Sequence, residues 1–318
     1  MPGLIVGGKE VAVPGVNIRN FKDEPNLALR VGRPDGNNDG KTRTAPVSLV
    51  VLHTTKGIPG GRDRREQVIK PGIGPDTKAL DRTITYWSTD PTPSGAHIVV
   101  DHNGSAACLA DLQTVCAYHA GQSEVNNRSI GIEIYQGSDA EMYEGQLDVV
   151  RKIVDVLTVV FGIQRQIPSD YRNKPIPRLS ELGGRDLFGV VGHRDVSDRR
   201  GKGDPGDAIM DVLAKNGYEK FDFFSNQDLD KWKTRQVTMK TRLGRDMYID
   251  GIPGGQTAAA LKDLGYQYGL WALPPTSHTG SGLAESIISA FFPTLVAALG
   301  GDPKAATQAL ENWLRRLS

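Results

Sequence analysis

Two short apolar runs, each ending on a histidine, constrain this chain more than any other feature. Val47-Ser48-Leu49-Val50-Val51-Leu52 leads into His53, and Phe188-Gly189-Val190-Val191-Gly192 leads into His193. Uncharged runs of this kind read as strands buried on both faces, the pattern of a parallel sheet covered by helices. A third segment, Ser129-Ile130-Gly131-Ile132-Glu133-Ile134, alternates with period two, so the isoleucines share one face and Glu133 lies on the other. Residues 144–161 then place Leu147, Val150, Ile153, Val154, Leu157 and Phe161 at helical spacing, and Gly162 follows as a stop. Arg151, Lys152 and Asp155 interrupt that helix, which therefore packs on a sheet rather than crossing a membrane. The strand, helix, strand order predicts an α/β fold with a right-handed parallel crossover.

The rest of the chain is placed around this frame. Residues 1–45, rich in Gly, Pro and Asn, read as a surface arm or short edge strand. Residues 57–75 form a turn-rich loop, 76–87 a helix, and 96–101 a strand entering the turn His102-Asn103-Gly104, the grammar of a hairpin. Residues 164–186 form a long polar loop of the sort that lines a groove. A helix is expected over 207–217 and a charged one over 228–242, with a change of composition near 220. Beyond it, helices over 283–299 and 305–317 flank the breaker Gly300-Gly301-Asp302-Pro303. A length of 318 residues favours more than one domain. The expected division is an arm over 1–45, a catalytic domain over 46–220 and a smaller helical domain over 221–318.

Charge and cysteine content exclude several classes. With 38 basic and 37 acidic residues the formal net charge is +1, so nothing in the balance points to nucleic acid. The first twenty residues have no basic leader followed by an apolar run, so the chain is expected to remain in the cytoplasm of the producing cell unless something releases it. Cys108 and Cys116 are too few for a disulfide scaffold or a cysteine zinc cage and read as buried thiols.

Two strands that deliver His53 and His193 at their ends, with a downstream Lys202-Gly203-Asp204-Pro205-Gly206, point to a three-ligand metal site. Two imidazoles and a carboxylate suit one Zn²⁺ ion and leave a fourth position for water. Neutral His53 and His193 with ionised Asp204 would leave about one positive charge on the centre, the condition for acidifying a bound water toward pKa ~7. Lys202, two residues from Asp204, shares its face in an extended segment and can stabilise an oxyanion. Glu133, on the non-core face of its strand, can take a proton from water and hand it to a leaving nitrogen. A lone strand-end histidine is more often a hydrogen-bonded structural residue, so the combination carries the reading.

The sequence resembles the zinc-dependent N-acetylmuramoyl-L-alanine amidases of the amidase-2 type, in the superfamily of bacteriophage T7 lysozyme and the peptidoglycan recognition proteins. The resemblance runs from about residue 48 to 207. Its blocks are Val50-Val51-Leu52-His53, Ser94-Gly95-Ala96-His97-Ile98-Val99-Val100-Asp101, Ala117-Tyr118-His119-Ala120-Gly121, Asn127-Arg128-Ser129-Ile130-Gly131-Ile132-Glu133, and Gly192-His193-Arg194-Asp195 followed by Lys202-Gly203-Asp204-Pro205-Gly206. It implies a mixed central β-sheet flanked by helices, zinc held by His53, His193 and Asp204, Glu133 as catalytic acid/base and Lys202 as transition-state stabiliser. The implied reaction cleaves the amide between N-acetylmuramic acid and L-alanine of the stem peptide. An Asp at the third ligand position is as in the cytoplasmic recycling amidases of this family.

Among the remaining histidines, His119 is read either as a substrate contact at the cleft rim or as a buried residue bonding the backbone. His97 reads as structural, and His102 and His278 as solvated. Residues 250–261 resemble the loop and helix of small peptidoglycan-binding domains, and read equally well as a glycine turn before a helix capped by Thr257. The main expectation is a bacteriolytic, endolysin-like enzyme that acts on the bacterial cell wall after release. Its partner is peptidoglycan, without nucleic acid or stable membrane insertion. The alternatives are a cytoplasmic muropeptide-recycling amidase and a peptidoglycan recognition protein that binds without cutting.

Overall fold

The computed structural model describes residues 3–32, 38–55, 66–90, 94–137, 140–169, 187–197, 203–222, 226–244 and 246–249, with positions 256, 257, 259, 260 and 263. Lys202, His278, the helices expected over 283–299 and 305–317, and most of 164–186 and 250–261 lie outside the described residues.

A six-stranded mixed sheet organises the chain. Its strands are β1 (Ile18–Asn20), β2 (Leu49–Thr54), β3 (Ile98–Val100), β4 (Ala106–Cys108), β5 (Ser129–Ile134) and β6 (Gly189–Gly192). The spatial order is β6-β2-β5-β3-β4-β1. β2 sits between β6 and β5, parallel to both, which is why its residues are buried on both faces. β5 is also parallel to β3, whereas β3 and β4 form the antiparallel hairpin that turns at residues 102–104, and β1 closes the edge parallel to β4.

Helices α1 (Ala79–Thr89) and α2 (Ser123–Arg128) come first in the chain. Alternation sorts the side chains onto two faces. Val50 and Leu52 of β2 and Ile130, Ile132 and Ile134 of β5 face helix α3 (Glu144–Phe161), which contributes Leu147, Val150, Ile153, Val154, Leu157 and Phe161 to the same core. Each such side chain withdrawn from water stabilises the fold by about 1.5–3 kcal/mol before entropy is counted. Gly162 ends α3 at φ 67°, a left-handed cap that a residue with a Cβ adopts only at a cost. Helix α5 (Asp207–Lys215) adds Ile209, Met210 and Leu213 to this layer. On the opposite face Leu49, Val51 and Val191 join a second cluster with Leu229, Trp232 and Met239 of helix α6 (Asn226–Leu243). Gln236 of α6 also donates to the hydroxyl of Thr257 at 3.2 Å.

Two expectations are corrected. The segment 1–45 does supply an edge strand, but Leu4, Ile5, Val13, Val16 and Ile18 are almost wholly buried in the main core instead of lying at the surface. Its apolar residues are spaced by turns, so no single period advertised their burial. His102 is likewise buried, packed between the rings of Tyr135 and Tyr143, because the hairpin turn folds under the start of α3 instead of into solvent.

Candidate metal centre and active site

Sheet register brings the site together. In the parallel β2–β5 pair His53 is opposite Glu133, so both side chains leave the same face, the one turned away from the isoleucines. In the β2–β6 pair Gly192 is opposite Leu52, which sets His193, one residue further on, level with His53. His193 opens the short helix α4 (His193–Val196). Asp204 arrives from the segment before α5, and the backbone holds it there. The N–H of Thr54 donates to its Oδ1 at 3.1 Å, and the N–H of Arg194 donates to its carbonyl at 2.7 Å.

The three side chains are buried and converge. His53 Nδ1 lies 2.8 Å from His193 Nδ1 and 3.9 Å from Asp204 Oδ1, and His193 Nδ1 lies 3.2 Å from Asp204 Oδ2. One ligand atom from each residue falls within 4.8 Å of the others, and among the described residues this is the one group with that property. Donors around a tetrahedral ion bound at ~2.0–2.2 Å stand about 3.3 Å apart, a separation that the three distances straddle. The donor set, two imidazole nitrogens and a carboxylate oxygen, is that of a catalytic rather than a closed structural zinc site. These residues fit the ion.

Behind His53 the imidazoles continue in a row. Ring centroids are 4.5 Å apart from His193 to His53, 5.1 Å from His53 to His119, and 5.5 Å from His119 to His97. His53 Nε2 bonds His119 Nδ1 at 2.9 Å, and His119 Nε2 bonds the Ser129 hydroxyl at 3.0 Å. His97 accepts the Gly131 N–H on Nδ1 at 3.0 Å and lies 3.1 Å from the Val115 carbonyl through Nε2. The guanidinium of Arg43 ends the row, 3.1 Å from His97 Nε2, and is anchored on the carbonyls of Asn127, Val115 and Ser129.

This arrangement keeps the two imidazoles behind His53 neutral. Burial first, and Arg43 second, push His97 down to about 3. Burial holds His119 well below the ordinary histidine value, with His97, His193 and Arg43 adding to the effect. Burial also costs Arg43, which is drawn down to about 10 and therefore stays cationic at neutral pH. A neutral imidazole has a lone pair to give, whereas an imidazolium has none.

The structure thus brings His53, His193 and Asp204 together and sets Glu133 beside them on the same sheet face. It places His119 behind His53 with 8% of its surface exposed. Lys202 is outside the described residues. Ser129, Gly131 and Thr54 escaped the sequence reading. The period-two alternation that puts Glu133 opposite the isoleucines also puts Ser129 and Gly131 on the working face, and that signal could have singled them out.

The sequence model of the family Amidase_2, N-acetylmuramoyl-L-alanine amidase, matches residues 43–207. Comparison with curated proteins finds no match. Among solved structures the chain is similar to a mutant endolysin from Bacillus subtilis, at 19% identity over 63% of this chain and 96% of that one, with a TM-score of 0.37. It is also similar to a mutant of PGRP-LB from Drosophila, at 12% identity over 65% of this chain and all (100%) of that one, TM-score 0.37. A selenomethionine derivative of AmpD overlaps at 18% identity over 59% of this chain and 94% of that one, TM-score 0.31.

Proposed function

The chain belongs to the N-acetylmuramoyl-L-alanine amidase family Amidase_2, and from that premise we propose that it is a zinc-dependent hydrolase of the bond between N-acetylmuramic acid and the L-alanine of the stem peptide. The observation that carries the zinc reading is the buried convergence of His53, His193 and Asp204. Those three residues would hold the ion. When bound, it would supply a Lewis acid for the scissile carbonyl and lower the pKa of water.

The chain's own residues do the rest. Glu133, next to His53 across the sheet and only partly buried, takes a proton from the attacking water and delivers it to the leaving nitrogen. Without that transfer the amine leaves as an anion, which is why the carboxylate matters more to turnover than to binding. Asp204, oriented by the Thr54 N–H, offsets part of the charge of a divalent ion. Lys202 is proposed, on sequence grounds, to stabilise the developing oxyanion.

In the wider reading the protein is a bacteriolytic, endolysin-like enzyme, with 46–220 catalytic and 221–318 helical and able to bind the wall. Among the described residues no helix is long and apolar enough to cross a membrane. An Asp at position 204 favours a second reading, an amidase that recycles soluble muropeptides. The retained donors argue against a recognition protein that binds without cutting. Digestion of purified sacculi separates these cases. New L-alanine amino termini are expected; new reducing sugars would make the enzyme a glycosidase and overturn the assignment. Activity on soluble muropeptides with none on sacculi would favour recycling.

A further inference from the structure

The mechanism leaves His119 and Ser129 without a task, yet their hydrogen bonds form a chain with a single permitted direction. The Ser129 hydroxyl lies 2.6 Å from the Val125 carbonyl, which can only accept, so the one hydroxyl proton is committed there. The hydroxyl oxygen must then accept from His119 Nε2 at 3.0 Å, which puts the His119 proton on Nε2. Its Nδ1 is left bare and must accept from His53 Nε2 at 2.9 Å. His53 in turn carries its proton on Nε2 and turns a bare Nδ1 toward His193 and Asp204.

The surroundings are built for this chain. Gly131 lies on the strand between Ser129 and Glu133, and a Cβ there would stand 2.6 Å from His119 Cγ and 2.7 Å from its Nδ1, so the missing side chain is the slot the ring occupies. The Asn126 side chain accepts the backbone N–H of both His119 and Ala120, at 3.2 and 2.7 Å, and so fixes the segment from which the ring projects. His119 is itself buried, so its ring is held on all sides by these partners.

We propose that His119 and Ser129 are positioning residues that set the tautomer and ring orientation of His53, so that its Nδ1 meets the ion already deprotonated. The proposal rests on reading His53, His193 and Asp204 as a zinc site. A ligand histidine whose other nitrogen is so held binds metal more tightly, and loss of such a partner typically costs 10–100-fold in affinity.

The test uses the full chain, metal-free, as wild type and as the His119→Ala, His119→Asn and Ser129→Ala variants. Long-range proton–nitrogen NMR reports the His53 tautomer, and competition with a chromophoric chelator gives the zinc affinity. The Asn side-chain oxygen stands where His119 Nδ1 stood and still accepts from His53. His119→Asn is therefore expected to keep wild-type affinity, while His119→Ala loses about 10–100-fold and populates the Nδ1–H tautomer of His53. Ser129→Ala, which removes only the far acceptor, should fall between them, and it carries the test if His119→Ala does not fold. Wild-type affinity and an unchanged tautomer in both alanine variants would overturn the proposal. If the wild type itself binds no zinc, the metal reading fails; the tautomer shift in the metal-free variants still decides what His119 does.

Discussion

Replacing Gly131 by alanine tests the packing behind the candidate metal centre with a single methyl group. Gly131 lies on ordinary extended backbone, where exchanging glycine for alanine commonly stabilises a protein by about 0.4–1 kcal/mol through the unfolded chain. Here the sign should reverse. The new carbon would stand 2.6 Å from Cγ, 2.7 Å from Nδ1 and 3.0 Å from Cδ2 of His119, whereas relaxed carbon contacts sit at about 3.5–4.0 Å. The ring must retreat by about 1 Å, and its Cγ, unlike the tip of a flexible side chain, cannot do so without moving the backbone. Such overpacking costs about 1–3 kcal/mol, and a retreat of that size also breaks a buried bond, now 2.9 Å, to His53. An orphaned buried donor adds about 1–3 kcal/mol, for a total of roughly 2–6 kcal/mol. At about 2–4 °C per kcal/mol for a domain of this size, the metal-free variant should melt roughly 4–24 °C below wild type by calorimetry. Zinc affinity should fall by an order of magnitude or more in the same sample. A variant that melts at or above the wild-type temperature and binds zinc equally well would refute the close contact and the role given to it.

Chelation is expected to abolish amide cleavage and added Zn²⁺ to restore it, measured by release of L-alanine amino termini; full activity in excess chelator would sink the zinc reading. Glu133→Gln should bind zinc like wild type while kcat drops by about 10²–10⁴-fold, the usual worth of a positioned proton carrier; unchanged turnover would remove Glu133 from the mechanism. Metal-free stability should also fall with acid. His97 has its folded pKa depressed to about 3, so the unfolded state binds the extra proton once pH drops below the ordinary value of 6.5. Its contribution is complete above that value and is lost toward about 3, at up to ~1.4 kcal/mol per pH unit, which urea unfolding would read; a flat profile from pH 6.5 to 4 contradicts it. Truncation after residue 263 retains α6 with its Gln236–Thr257 contact and should leave cleavage of soluble muropeptide intact while weakening sacculus binding; undiminished pelleting with sacculi would end the wall-binding role proposed for the C-terminal region.

Local pattern in the sequence determined a great deal. The alternation at residues 129–134, the spacing from Leu147 to Phe161 and the runs before His53 and His193 predicted β5, α3, β2 and β6 close to their observed bounds. They did so because side-chain period is fixed by backbone geometry within a few residues. The same period told which face Glu133 takes. What it could not tell is which strands lie side by side. Only the order β6-β2-β5 brings Gly192, Leu52 and Ile132 into register, and with them His193, His53 and Glu133 one residue on; that order comes from contacts between residues far apart in the chain. The His119–Ser129 chain, the burial of His102 between two tyrosines and the entry of Leu4 and Ile5 into the core were decided at the same level. Hydrogen bonds and close packing act over less than about 4 Å, a distance that a linear sequence does not encode between remote residues.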